Sequence, residues 1–282
     1  MPELPEVETI ARGVNQRLRG DRIVEVWFGS HPQPFKTPPA RQAKGLEGRA
    51  ILAVHRTGKH IVCELGAACA SPLNEETGKP CAQWIVHLGM TGRLIVTTPD
   101  APLALHTHAR LSLASGRELR FQDPRRFGRL EFRDLSRAAA FNAPGVDPLT
   151  IPGGAFAMLF HGRKLSIKAA LLNQKLLSGV GNIYADESLF RASIRPRRLA
   201  GKLTKAELER LRLALVGVLE HAIQLGGSSV SDYVDVDGAR GFFQFEHCVY
   251  LRTGLPCHHC QTPIRRILLT GRGTHYCPRC QR

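Results

Sequence analysis

The chain runs through two hydrophobic rhythms. From Pro5 the apolar residues Val7, Ile10, Val14 and Leu18 recur three and four positions apart, the spacing of one helix face. Pro5 suits a first helical turn, and Glu6 and Glu8 lie near the positive end of the helix dipole. Short β-type runs follow, RIVEVWF, RAILAVHR, HIVCEL, QWIVHL, RLIV, ARLSL, ELRF and RLEF, separated by turn residues and ending near Asp134. Their number and brevity predict a sandwich or barrel rather than a parallel sheet. The stretch GAACASPLNEETGKPCA at 66–82 interrupts them with loop composition and reads as a hairpin insertion on the surface.

Beyond a linker around 143–154 the period becomes helical. KLSIKAALLNQKLL is apolar at Leu165, Ile167, Ala169 to Leu172, Leu176 and Leu177, and GVGN breaks it before a second helix, IYADESLFRA. A third helix shows a capping box at Thr204 and Glu207, a stripe of Leu208, Leu211, Leu215 and Leu219, and a stop at Gly226. The segment SDYVDVDGARGFFQFEH has no firm period and reads as a mobile loop. The pattern therefore predicts an α+β multidomain chain, with a sheet domain and leading helix at 1–134, a helical domain with its loop at 135–247, and a small C-terminal β-hairpin module at 248–282.

Composition adds a partner class. The 282 residues carry 39 Lys and Arg against 24 Asp and Glu, a net charge of +15 and a pI near 10.0, which draws polyanions and above all nucleic acid. No apolar run approaches the ~18 residues of a spanning helix, and the charged start lacks the apolar core of a signal peptide, so an intracellular protein without a membrane partner is expected. Four of the eight cysteines lie near the end as Cys257-x2-Cys260-x16-Cys277-x2-Cys280. That is zinc-ligand spacing; the alternative, a pair of disulfides, is disfavoured in a reducing interior. Four thiolates complete a tetrahedron, leaving His258 and His259 as surface groups. Cys63, Cys69, Cys81 and Cys248 show no such spacing.

Several stretches, in order, resemble one family: MPELPEVET at the start, Lys59-His60 after Gly58, HLGMTG at 87–92, DPRRFG at 123–128, GVGNIYADESLF at 179–190 and the terminal cysteines. Together they resemble formamidopyrimidine-DNA glycosylase, the bacterial 8-oxoguanine glycosylase and abasic-site lyase related to endonuclease VIII. The resemblance implies a β-sandwich, a helix-two-turn-helix domain and a zinc finger with one structural Zn2+. It also implies a monomer of the bacterial cytoplasm or nucleoid that acts on double-stranded DNA holding oxidised bases or abasic sites.

The residues fit that chemistry. Once the initiator methionine is removed, Pro2 is a secondary amine, partly neutral near a reference pKa of ~8. It would attack the sugar C1′ and form an iminium. Glu3 would move protons to the sugar ring and leaving group, and Glu6 would orient the amine. The resemblance places Lys59 beside the damaged nucleotide and Arg272 of the finger on phosphates near the lesion. Extruding a base costs a few kcal/mol; Met90, Arg125 and Phe127 match the family's void-filling set, and Glu6 and His106 are counted with the DNA contacts. The helix start in GVGN is a ready anion site, and the resemblance assigns Asn182 and Lys168 to phosphate. Two alternatives stand: an endonuclease VIII-type enzyme for oxidised pyrimidines, and a non-catalytic zinc DNA-binding protein, which would leave Pro2 with Glu3 unexplained.

Overall fold

The computed structural model describes residues 1–32, 34–68, 79–230 and 232–282; most of the 66–82 stretch, including Cys69, lies outside them. The chain forms two compact units. The first is Met1–Pro2 with Glu6–Ala143 and Ser228–Gly241, and the second is Glu3–Pro5 with Pro144–Gly227 and Phe242–Arg282. The first unit runs past Asp134 because Phe141 packs its ring on His60 and donates its N–H to Gln83. The finger belongs to the second unit.

In the first unit every β-type run becomes a strand, and these strands pair with one another antiparallel. One sheet orders β1 (Ile23–Phe28), β6 (Thr107–Leu113), β7 (Glu118–Gln122) and β5 (Arg93–Thr97); the other orders β2 (Arg49–Thr57), β3 (His60–Ala68), β4 (Ala82–His87) and β8 (Arg129–Asp134). Two separate sheets make a sandwich. Leu94, Leu111 and Phe121 from one sheet join Ile51, Leu65, Trp84 and Leu130 from the other in a single core, which α1 (Leu4–Leu18) enters with Val7, Ile10, Val14 and Leu18. A further helix, α2 (Pro39–Leu46), was not expected from its sparse apolar pattern. It is fixed by a polar residue instead: buried Gln42 donates to the carbonyls of Thr37 and Leu130 and accepts from the Trp84 indole.

The segment read as a mobile loop is anchored over residues 232–241. Tyr233 and Val236 are buried in the core beside α1, the Val96 N–H donates to the Val236 carbonyl at 3.0 Å, and Arg17 pairs with Asp237. A Cβ on Gly13 would come within 2.7 Å of Val236, so the helix is narrowed where the segment crosses it.

The second unit holds α3 (Gly153–Phe160), α4 (Ile167–Leu171), α5 (Asn182–Arg191) and α6 (Lys205–Gln224), with the capping box of Thr204 and Glu207 formed as expected. Phe156, Phe160, Leu171, Tyr184, Leu189, Leu211 and Leu215 fill its core, joined by Leu4. The run from Leu165 to Leu177 is not one helix. α4 ends at Leu171, because Asn173 turns its side chain onto the Lys175 N–H at 3.0 Å, and Gln174 accepts from the Gly179 N–H and donates to the Val180 carbonyl. The finger hairpin pairs β9 (Arg265–Leu269) with β10 (Arg272–Tyr276). Buried Glu187 of α5 ties this module down by accepting the N–H groups of Cys248, Val249 and Tyr250 at 2.8–2.9 Å. Its burial pushes the carboxyl pKa up against those bonds.

Candidate active site and nucleic-acid interface

Glu3 caps a helix to which it does not belong. The N-cap residue of α5 is Gly181, which has no side chain to receive the first free N–H groups. The Glu3 carboxylate takes that place, accepting from Ile183 at 3.3 Å and from Tyr184 at 3.5 Å, where the helix dipole also favours negative charge. Glu3 is only 5 % exposed. A Cβ on Gly181 would fall 2.0 Å from its carboxyl carbon. The expectation that these N–H groups receive a DNA phosphate is therefore corrected: a buried carboxylate already occupies them. The preceding Gly179, at φ +91, lies under Leu4, whose N–H donates to its carbonyl at 3.0 Å.

Lys168 also departs from expectation. It is 0 % exposed. Its Nζ lies 2.6 Å from Asp186 Oδ1 and donates to Thr274 Oγ1 at 2.8 Å and to the Gly273 carbonyl at 3.0 Å. Paired with a carboxylate and donating to a hydroxyl and a carbonyl of β10, the buried Lys168 ammonium ties α4 to the finger hairpin. Burial draws its pKa down while Asp186 opposes that. Asp186 in turn accepts from the His275 N–H at 2.8 Å, with the His275 ring nitrogen at 3.2 Å. The Asn182 amide donates to the same Gly273 carbonyl at 3.0 Å and bonds the Tyr250 hydroxyl. Arg272 is exposed at the head of β10, after the turn residues Thr270 and Gly271, both at positive φ. Its neighbours Gly273 and Thr274 are thus clamped by α4 and α5, which aims the arginine. Glu3, Asp186, Asn182 and Arg272 all act on Tyr250, so these groups share one neighbourhood.

In the first unit, Met90 is 40 % and Phe127 48 % exposed, and the Arg125 guanidinium stacks over the Phe127 ring at 4.8 Å. Asp123 underlies all three. It is 0 % exposed; Oδ1 accepts from the Thr91 hydroxyl at 2.6 Å and the Arg125 N–H at 3.3 Å, and Oδ2 from the Gly128 N–H at 2.7 Å. Its own N–H donates to the carbonyl of His106, an exposed residue held at φ 66. The two turns touch backbone to backbone: a Cβ on Gly89 would come within 2.5 Å of Phe127 and Gly128. Sequence reasoning missed Asp123, although the Asp-Pro of DPRRFG signals a turn whose first side chain bonds its own backbone.

Lys59 and Gly58 make the two-residue turn between the paired residues Thr57 and His60. His60 faces His87 on the neighbouring strand with ring centres 4.8 Å apart. Burial lowers both histidines to about 4; Lys36 adds to the effect at His60, and His60, Lys59 and Arg129 add to it at His87. The neutral His87 ring can then accept the Gly89 N–H at 3.1 Å and so steady the Met90 turn. Pro2 is buried while Met1 is exposed. Glu6, expected among the DNA contacts, is 2 % exposed, and Oε1 accepts the Ser228 N–H at 2.8 Å. A buried carboxylate offers no surface to a polyanion, so that expectation is corrected: Glu6 anchors the 228–241 segment to α1.

The four terminal cysteines converge, their sulfurs all within 4.8 Å of one another. Cys257 and Cys280 are 3.9 Å apart and Cys260 and Cys277 3.4 Å apart, too far for disulfides. A tetrahedron of ~2.3 Å metal–sulfur bonds has edges of about 3.8 Å, so the donor set fits one metal ion.

Three segments of the chain match known families: residues 1–130 the formamidopyrimidine-DNA glycosylase N-terminal domain, 145–234 its H2TH domain, and 254–282 a zinc finger found in FPG and IleRS. The formamidopyrimidine-DNA glycosylases of Solibacter usitatus and Thioalkalivibrio sulfidiphilus are 43% and 42% identical, with full coverage of both chains. Among solved structures, a variant of Lactococcus lactis FPG in complex with a Fapy-dG containing DNA superposes with a TM-score of 0.86 at 32% identity, covering 100% of each chain. The Lactococcus lactis Fpg bound to an abasic site containing DNA gives 0.86 over 99% of each chain. The same enzyme with an oxidised pyrimidine containing DNA gives 0.85 at 32% identity over 100% of each. With its three segments matched in order and these relatives aligned end to end, the chain belongs to the formamidopyrimidine-DNA glycosylase family.

Proposed function

We propose that the protein is a bifunctional DNA glycosylase and abasic-site lyase of base excision repair, removing oxidised purines such as 8-oxoguanine and formamidopyrimidines. The observation that carries this reading is Glu3: the residue next to Pro2 is a carboxylate pinned by the first N–H groups of α5, a preorganised acid–base beside a nucleophilic amine.

In this reading the lone pair of Pro2 nitrogen forms a bond to C1′ as the bond from C1′ to the base breaks, and the base leaves with a proton. The proton released from the Pro2 nitrogen passes through Glu3 to the ring oxygen O4′, while the departing base takes its own from water; the C1′–O4′ bond breaks and the sugar opens to an iminium at C1′. Loss of a C2′ proton then expels the 3′ phosphate, and loss of the C4′ proton from the resulting unsaturated iminium expels the 5′ phosphate. Water hydrolyses the remaining iminium and frees Pro2. Lys59 positions the nucleotide, while Arg272 and Asn182 hold backbone phosphate. Met90, Arg125 and Phe127, exposed on two touching turns, fill the gap and hold the orphaned base; His106 flanks them.

Cys257, Cys260, Cys277 and Cys280 would hold one Zn2+, whose contribution when bound is a closed structural cross-link without an open coordination position. No helix among the described residues is long and apolar enough to cross a membrane. The protein is read as a cytoplasmic or nucleoid monomer acting on duplex DNA.

The relative that binds an oxidised pyrimidine containing DNA supports a second reading, an enzyme whose preferred substrates are oxidised pyrimidines. Parallel single-turnover assays on duplexes carrying 8-oxoguanine or thymine glycol separate them. Faster release of 8-oxoguanine is expected; faster release of thymine glycol would reverse the assignment, and no product from either would leave a DNA-binding protein.

A further inference from the structure

We propose that Asp123 is the positioning residue that sets the insertion geometry of Met90, Arg125 and Phe127, an inference that rests on their assignment above as the void-filling set. Its carboxylate meets Arg125 directly and Met90 and Phe127 through the residue that follows each. Thr91, whose hydroxyl it accepts at 2.6 Å, directly follows Met90; the N–H it accepts at 3.3 Å is that of Arg125 itself; and Gly128, bonded at 2.7 Å, directly follows Phe127.

An aspartate opening a turn commonly bonds the N–H two residues on, and the Arg125 bond is of that local kind. The other two are not: Thr91 lies on a separate turn and Gly128 closes the loop into β8. Burying a carboxylate is costly unless its oxygens are bonded, so the carboxylate holds both turns to itself. The main chain of Asp123 adds the His106 carbonyl through its N–H, and its carbonyl accepts from the Arg126 N–H and lies 3.0 Å from His108 Nε2. One side chain therefore fixes two insertion turns relative to each other, and a separate pair of main-chain bonds ties them to the entry of β6.

Two variants test this. In Asp123→Asn the amide keeps one acceptor oxygen and turns an NH2 toward either Thr91 or Gly128; the Thr91 hydroxyl can rotate and accept, but the Gly128 N–H cannot. Thr91→Val cuts only the link to the Met90 turn and leaves both N–H bonds in place. The assay compares single-turnover excision from an 8-oxoguanine duplex with strand cleavage at an abasic site in single-stranded DNA, which has no gap to fill. Duplex excision is expected to fall about 100-fold in Asp123→Asn and about tenfold in Thr91→Val, since displacements near 1 Å cost rates of that size. Single-strand cleavage should stay within about twofold of the parent, so the ratio of the two rates changes, which a loss of folded protein would not produce. Unchanged duplex excision in both variants, or equal loss on both substrates, would overturn the proposal. If Asp123→Asn does not fold, Thr91→Val alone decides. A parent protein that cleaves neither substrate would instead overturn the functional reading and this proposal with it.

Discussion

A Cβ on Gly181 would lie 2.0 Å from the carboxyl carbon of Glu3, so the bare N-cap of α5 is what admits a carboxylate from the start of the chain. The backbone of Gly181, at φ −130 and ψ −166, is ordinary extended chain that alanine also adopts. In Gly181→Ala the cost therefore falls on Glu3 rather than on local geometry. Single-turnover excision should drop by about 100-fold, the scale of a misplaced acid–base group, with affinity for an abasic-site duplex held within about threefold. Equal losses in rate and affinity would show that the contact serves folding alone.

The pair Lys168 and Asp186 is fully buried, with 2.6 Å between charges. Removing one partner of such a pair typically costs about 3–5 kcal/mol. Asp186→Asn should therefore lower the denaturant midpoint strongly, and the His275 N–H and Lys168 ammonium would both lose their charged acceptor. An unfolding curve that overlays the parent would contradict the role given to this pair in holding the finger hairpin.

Acid should loosen the protein through buried histidines. His60, His87 and His247 are lowered from 6.5 to about 4, in each case chiefly by burial. A depressed folded-state value means that the unfolded chain binds more protons between pH 6.5 and 4. Stability is thus fully present above pH 6.5 and is lost as pH falls toward 4, by on the order of 3 kcal/mol per ring at most. Denaturant melts at intervals across that window should show the decline, and His60→Phe should flatten part of it. A parent curve level from pH 7 to 4 would refute the assignment.

The cysteine cluster makes a joint prediction. Cys277→Ser, or prolonged chelation of the parent, should remove one zinc per chain and weaken DNA binding together, because Arg272 depends on the hairpin between the two cysteine pairs. Metal content by emission spectroscopy and binding by fluorescence anisotropy check this; normal binding without metal would make the finger dispensable.

Local signals in the sequence predicted much of this architecture. The short β-type runs each became a strand, Thr204 and Glu207 closed their capping box, and the cysteine spacing brought four sulfurs together. What escaped were contacts between residues distant along the chain. Glu3 meets Ile183, Lys168 meets Asp186 and Thr274, and Asp123 meets Thr91, and no periodicity records such pairings. Two charged residues expected on DNA, Glu6 and Lys168, prove buried, because a charge in a sequence does not reveal whether a partner waits inside the fold. The unit boundary was likewise illegible: Ser228–Gly241 carries few apolar residues, yet Tyr233 and Val236 suffice to seat it against α1.

The central claim is that Pro2 is the nucleophile. Incubating the protein with a duplex holding one 8-oxoguanine opposite cytosine, reducing with borohydride and mapping the cross-linked peptide tests it most directly. The account predicts a single adduct at the Pro2 amine, with Met1 absent. An adduct at Lys59 or another lysine, or none on this duplex or on an abasic site, would contradict it.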